Sequence, residues 1–290
     1  MDTSNLIKKV RKIEIKTRGL TNQVFAGYYH SAFKGRGIAF SEVREYQYGD
    51  DIRSIDWNVT ARLNHPFVKV FEEERELTVM LLIDMSGSNQ FGALGRNKAE
   101  IIAEISGVLA FSALANNDKV GVIFFSDVVE KFIPPKKGSR HILRIIREII
   151  TFVPTSKGTD LSVPLKYLQH IIKKKSISFL ISDFNQHTFE SALNIANKKH
   201  DMVCIRVFDN REMAIPPMGI LKFSDAETGE VFWIDTSSER VQEKIRSWNL
   251  QHEAKLKRIF AKAGVDVATI PTHTDFVRPL INLFKSRSLQ

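Results

Sequence analysis

The stretch Leu77-Thr78-Val79-Met80-Leu81-Leu82-Ile83 is an almost unbroken apolar run, and it ends abruptly in Asp84-Met85-Ser86-Gly87-Ser88. An apolar run without alternation reads as a strand buried on both faces, as in the middle of a mostly parallel sheet. Such a sheet requires helical crossovers and a covering layer on each side. The residues that follow supply them. Lys98–Asn116 is apolar nearly all round and reads as a buried helix, with Gly107 and Ser112 small enough for close approach to a sheet. Val120–Phe125 and Ile177–Ile181 are further buried strands, and Val128–Ile133 is a short edge strand ahead of Pro134-Pro135. Helices are expected over His141–Ile150, Leu161–Lys174 and Thr188–Lys199, with a strand over Met202–Phe208. Leu221–Phe223 and Val231–Ile234 flank Glu227-Thr228-Gly229-Glu230 as a hairpin. A long helix from Ser237 to Lys262, a strand Val265–Ile270 and a helix Phe276–Ser286 complete the pattern. The fold class expected is α/β, a doubly wound, mostly parallel sheet.

The first 76 residues differ in character. Residues 5–20 read as a short amphipathic helix ending near Gly19. Residues 21–76 mix glycine, aromatics and charge without an evident helical period, with turns at Phe33-Lys34-Gly35-Arg36-Gly37 and Tyr48-Gly49-Asp50-Asp51. Short strands over Ala39–Tyr46 and Phe67–Phe71 fit a small β-rich appendage, too poor in aliphatics to stand alone and expected to lie against the larger domain. The domain division expected is therefore 1–76 and 77–290.

Composition excludes some chemistries. A single cysteine, Cys204, rules out an intrachain disulfide and a multi-cysteine zinc site. No segment approaches the ~20 apolar residues of a membrane span, and Met1-Asp2-Thr3-Ser4-Asn5 leads into Lys8, Lys9, Arg11 and Lys12 without the apolar core of a signal peptide. The expected location is cytoplasmic. The net charge of +9 raises the question of nucleic acid. The excess is spread out apart from Lys173-Lys174-Lys175 and a basic C-terminal helical region, neither interleaved with aromatics, so no nucleic-acid partner is expected.

Asp84, Ser86 and Ser88 place a carboxylate and two hydroxyls at the carboxyl end of a central strand, where open α/β sheets form their sites. Thr159, in Lys157-Gly158-Thr159-Asp160, and Asp183, directly after the third central strand, stand at comparable points. Together these are five hard oxygen donors from three loops. Magnesium demands near-octahedral oxygen coordination and keeps several waters, which hydroxyls and aspartates can satisfy directly or through water. Manganese and calcium are the substitutes expected. With so few negative ligands, the site would leave one position for a carboxylate from a partner protein.

From Leu77 onward the chain resembles a von Willebrand factor A domain carrying the metal-ion-dependent adhesion site motif. The resemblance implies that Ser86 and Ser88 match direct ligands, that Thr159 matches the threonine able to bind directly, and that Asp84 and Asp183 match the aspartates acting largely through water. Asn89 stands where methionine is common, and Ser182-Asp183-Phe184 replaces the more usual Thr-Asp-Gly, so the loop after Asp183 is expected to be shaped differently. Upstream, Phe33-Lys34-Gly35-Arg36-Gly37, Phe40-Ser41-Glu42-Val43-Arg44-Glu45-Tyr46, Gly49-Asp50-Asp51-Ile52-Arg53-Ser54-Ile55-Asp56-Trp57, Ala61-Arg62 and Val70-Phe71-Glu72-Glu73-Glu74-Arg75 look like the signature of the domain of unknown function 58 family. That resemblance covers the chain from about residue 20 onward. It implies a bacterial protein, with genes often beside those of MoxR-type AAA+ ATPases and, in some operons, of aerotolerance-type membrane proteins. A MoxR-type ATPase is therefore an expected partner, and membrane-protein partners are compatible with the same setting.

The acidic and aromatic segment around Trp57 has two readings. Bidentate Arg–carboxylate pairs involving Arg44, Arg62 or Glu42 would lock the appendage onto the main domain. Alternatively Arg53, Asp56, Trp57 and Arg62 form a partner-docking surface anchored by the indole and an arginine. For the chain as a whole, a metal-dependent protein-interaction module is expected rather than an enzyme. Asp84 lacks the second carboxylate two residues on that a phosphotransferase nucleophile would suggest, and no G-x-S-x-G elbow, P-loop or H-E-x-x-H is present. A metal-dependent phosphoester hydrolase is the first alternative, a nucleic-acid-associated factor the second.

Overall fold

The computed structural model describes residues 3–33, 38–73, 76–87, 98–186, 188–209, 216–224 and 230–288. It divides into two compact units, one formed by Met1–Phe33 with Thr78–Gln290 and the other by Lys34–Leu77. In chain order the elements begin with α1 (Thr3–Leu20), a π-helical turn over Thr21–Phe25 and α2 (Ala26–Ala32). The smaller unit then contributes β1 (Ile38–Glu45), a 3-10 turn over Ile52–Ser54, α3 (Trp57–Leu63) and β2 (Phe67–Glu73). The larger unit resumes with β3 (Thr78–Asp84), α4 (Lys98–Ala115), β4 (Lys119–Phe125), β5 (Val129–Lys136), α5 (Ser139–Thr151) and α6 (Ser162–Ile171). It continues through β6 (Ile177–Ser182), α7 (Glu190–Lys199), β7 (Asp201–Phe208), β8 (Ile220–Ser224), β9 (Val231–Asp235), α8 (Glu239–Ala263), β10 (Asp266–Pro271) and α9 (Val277–Ser288).

The larger unit is the doubly wound α/β domain expected. Its six-stranded sheet has the order β10-β7-β6-β3-β4-β5, with every neighbouring pair parallel except β4 and β5. Val79, Leu81 and Ile83 alternate with Met80 and Leu82 on opposite faces of β3, and all five are fully buried. Met80 and Leu82 join a cluster with Leu165 of α6, Leu193 of α7 and Ile259 of α8. Cys204 lies in the same cluster, and burial pushes its thiol pKa upward, the behaviour of a structural cysteine. The antiparallel edge strand β5 carries Pro134 and Pro135, whose missing N–H groups suit an edge. Among the described residues no helix is long and apolar enough to cross a membrane.

The N-terminal segment departs from expectation. The first α-helix ends at Leu20, beside Gly19 as expected, but the chain does not leave the helical path there: a π-helical turn and α2 carry it on to Ala32. Phe25, Tyr29 and Phe33 recur every four residues, so they share one helical face, and all three are buried. Each ring packs against Phe284 of α9, at centroid distances of 6.1, 6.2 and 5.7 Å, and Phe33 also meets Phe179 of β6 at 5.7 Å. These residues therefore belong to the core of the α/β unit, whereas the expected boundary grouped them with the β-rich segment. Gly107 likewise serves a different contact from the one expected. A Cβ there would lie 3.0 Å from Thr17 of α1 and 3.4 Å from Ile146 of α5, so it admits helices rather than the sheet.

The smaller unit pairs β1 and β2 in antiparallel register, from Ile38 opposite Glu73 to Glu45 opposite Phe67, interrupted by one irregularity between Phe40 and Glu42. An Arg–carboxylate lock forms inside this unit. Arg44 donates to both oxygens of Asp50 at 2.8 and 2.7 Å, and Asp50 also accepts from the Gln47 amide at 2.8 Å.

Candidate metal centre at the switch point of the sheet

The strand order decides where a site can form. The connection leaving β3 runs through α4 to β4 on one side, and the connection leaving β6 runs through α7 to β7 on the other. The crevice beyond the carboxyl ends of β3 and β6 is thus the topological switch point, where ligands of open α/β sheets bind. β3 ends at Asp84 and β6 at Ser182, with Asp183 next.

Both aspartates are buried. Asp84 Oδ1 accepts the Ser86 amide at 2.9 Å, and Asp84 Oδ2 accepts the Ser182 hydroxyl at 2.6 Å. Burial, reinforced by the neighbouring charge of Asp183, pushes the Asp84 carboxyl up to about 6, although hydrogen bonds from Ser182 and Ser86 pull the other way. Asp183 Oδ1 accepts the Asn185 amide N–H at 3.3 Å, and its Oδ2 accepts the Asn185 side chain at 3.0 Å. The Lys98 ammonium stands 3.4 Å from the same Oδ2, with its side chain wholly inaccessible to solvent.

Three hydrogen bonds bring the loops together. The Gly87 amide donates to the Lys157 carbonyl at 3.0 Å, joining the loop after β3 to the one bearing Thr159. The Gln186 side-chain amide donates to the Thr159 carbonyl, joining that loop to the one after β6. The Asp160 amide reaches the Ser126 carbonyl at 3.1 Å. Asp84, Ser86, Thr159 and Asp183 are therefore gathered in one buried place, with Thr159 only 7% exposed. Ser88, the fifth donor expected, lies outside the described residues.

The supporting cast was not anticipated from the sequence. Glu130 of β5 accepts the Thr155 and Ser156 amides at 3.0 Å, the Thr155 hydroxyl at 2.7 Å and the Ser126 hydroxyl at 2.8 Å. Its burial alone would raise the carboxyl, but these donors outweigh it and hold the group at about 2. Glu130 thereby pins the strap leading into Lys157-Gly158-Thr159. Arg206 of β7 donates from Nε to the Asp183 carbonyl at 3.2 Å and pairs through Nη1 with Glu253 of α8. Lys98, at the start of the apolar helix α4, is buried with its ammonium turned to Asp183, a role its place in the sequence does not disclose.

Phe184 occupies the position where the resemblance implies glycine. It adopts a left-handed φ of 58°, a region that bulky residues rarely enter. Its ring is fully buried, 5.6 Å from Phe189 and 5.2 Å edge-on to Phe260, so packing offsets a strain of roughly 1 to 2 kcal/mol. The Phe184 amide donates to Ser182 Oγ at 3.1 Å, keeping the loop closed against β6.

The converging donors are hydroxyl and carboxylate oxygens, and among the described residues no three His, Cys, Asp or Glu side chains gather as a metal cluster. That donor chemistry fits a hard divalent cation. His200, hydrogen-bonded to Ser176 at 2.9 Å, lies at the amino ends of β6 and β7, the opposite end of the sheet, and brings no base to this place.

The four residues of the expected docking surface all lie in the smaller unit. Asp56 has a structural task, accepting the Asn58 and Val59 amides at 3.0 and 3.4 Å as the N-cap of α3. Trp57 follows it and is 67% exposed, and Arg53 and Arg62 are also exposed.

This architecture has the doubly wound α/β topology that the resemblance to a von Willebrand factor A domain implies. Among solved structures, BatB from Bacteroides thetaiotaomicron matches at a TM-score of 0.50 and 14% identity, covering 74% of this chain and all of that one. An aerotolerance-related membrane protein from Bacteroides fragilis matches at 0.50 and 17% identity, covering 73% and 98%. The chain belongs to the family described as Protein of unknown function DUF58, whose sequence profile matches residues 42–255. Uncharacterized protein Rv1480 of Mycobacterium tuberculosis is 26% identical over 292 aligned residues, spanning 99% of this chain and 91% of that protein. Uncharacterized protein YeaD of Bacillus subtilis is 27% identical over 109 residues, 38% of this chain and 25% of that protein.

Proposed function

We propose that this chain is a divalent-metal-dependent protein-interaction module that binds a carboxylate of a partner protein, working as an adaptor or assembly factor with a MoxR-type AAA+ ATPase. The observation that carries the reading is the convergence of Asp84, Ser86, Thr159 and Asp183 at the switch point of the sheet. Membership of the family, and the gene neighbourhoods its resemblance implies, support the ATPase as partner. Ser86 and Thr159, with Ser88, would hold magnesium through their hydroxyls, and Asp84 and Asp183 would hold its waters. When bound, such an ion supplies a Lewis-acidic position to an incoming Asp or Glu. Asp84 is kept in place by Ser182 and Ser86, and Asp183 by Asn185 and Lys98, so the protein's part is to present these oxygens in a fixed, dry frame.

Magnesium or manganese is expected to raise the thermal midpoint by mass action, and Asp84→Ala to abolish the rise. Binding of the purified ATPase, followed by titration calorimetry, should be lost with chelator and with Asp84→Ala. Binding that survives both in a folded protein would sink the reading. Metal-dependent turnover of a generic phosphodiester, lost in the same variant, would replace it with the hydrolase.

A further inference from the structure

The buried ammonium of Lys98 is something that a cation-binding frame does not need. A methionine or leucine at this point of the apolar helix α4 would pack without the cost of desolvating a charge. The lysine is instead carried to 3.4 Å from Asp183 Oδ2, with both side chains essentially inaccessible to solvent. Arg206, the other cation at this loop, contacts the Asp183 main-chain carbonyl and has its charge matched by Glu253. Asp183 is thus already faced by a positive charge before any ion arrives.

We propose that Lys98 is a resident counter-cation that shares Asp183 with the divalent ion and sets how tightly the free protein holds it. The inference rests on the metal reading above. With Asp84 and Asp183 ionised and Lys98 charged, the frame carries one net negative charge rather than two, so a divalent ion is attracted less strongly. Once loaded, the same frame carries one net positive charge, which an incoming carboxylate neutralises. Lys98 thereby makes retention of the ion depend on the partner's acid, and it acts through Asp183 as a positioning and affinity-setting residue rather than as a ligand.

The test uses the full chain, with manganese alone as the calorimetric probe and magnesium alone in thermal unfolding. Lys98→Met removes the charge at nearly constant length, Lys98→Gln keeps a donor toward Asp183, and Lys98→Arg keeps the charge. Both neutral variants should have a lower midpoint without metal, because Asp183 is left buried without its counter-charge. They should nevertheless bind manganese on the order of tenfold more tightly, about 1.4 kcal/mol, and show a larger midpoint rise with magnesium. Lys98→Arg should stay near the parent. If the methionine variant does not fold, the glutamine variant carries the comparison. A parent that binds manganese while the neutral variants bind it equally or more weakly overturns the assignment of Lys98 alone. No manganese binding in parent or variants overturns the metal reading, and this inference with it.

Discussion

Glu130 shows how much of the site is held by residues remote from it in sequence. Its carboxylate is pinned by donors from Ser126, Thr155 and Ser156, which keep it ionised down to about 2. A folded-state value below the ordinary one means that the contribution is present above the unfolded pKa and fades as pH falls toward the folded one. Glu130→Gln should therefore cost on the order of 1 kcal/mol at neutral pH, a figure held down because the group is partly solvated. That gap should narrow between about pH 4.5 and 2, measured by urea unfolding of both proteins across the range. Asp84, Ser86, Thr159 and Asp183 were legible because motif spacing and strand ends are local properties. Glu130 and Lys98 were not, since each gains meaning only when distant strands and helices bring a loop or a carboxylate to it.

At the level of elements, the apolar runs of β3, β4, β6 and β7 told their own story, because strands buried on both faces leave no alternation to misread. The N-terminal helix was harder. Glycine near residue 19 and the mixed composition beyond it suggested a break, yet the four-residue recurrence of Phe25, Tyr29 and Phe33 was present all along and marks a buried face. Helix α3 had its own sign in Asp56, a capping residue just before Trp57. Close approaches between backbones were invisible. At Gly121 of β4, a Cβ would lie 2.8 Å from the Met80 sulfur, 2.9 Å from the Pro135 nitrogen and 3.0 Å from the Ile133 carbonyl oxygen. Two of those atoms are backbone and cannot rotate away. Gly121→Ala should thus destabilise by about 1 to 3 kcal/mol, seen as a lower denaturant midpoint at unchanged slope.

For the molecule as a whole, the two units make different predictions for deletion. Removing residues 1–33 strips Phe25, Tyr29 and Phe33 from the core around Phe284, so the remaining chain should lose its near-ultraviolet circular dichroism and its cooperative unfolding. Replacing residues 34–77 with a long Gly/Ser linker should leave the α/β unit folded, with cooperative unfolding retained. The expected division placed both segments before residue 77 together, whereas the observed units separate them, and circular dichroism of the two deletions tests that separation.

Pro134 and Pro135 have a consequence for how this protein can be recognised at all. They sit in β5, the strand on one outer edge of the sheet, beside the charged Glu130, Lys131 and Lys136. Two adjacent residues without an amide hydrogen cannot template an added strand. The Pro134–Pro135 end of that border is closed to β-augmentation, whether by a client peptide or by a neighbouring copy seeding an aggregate.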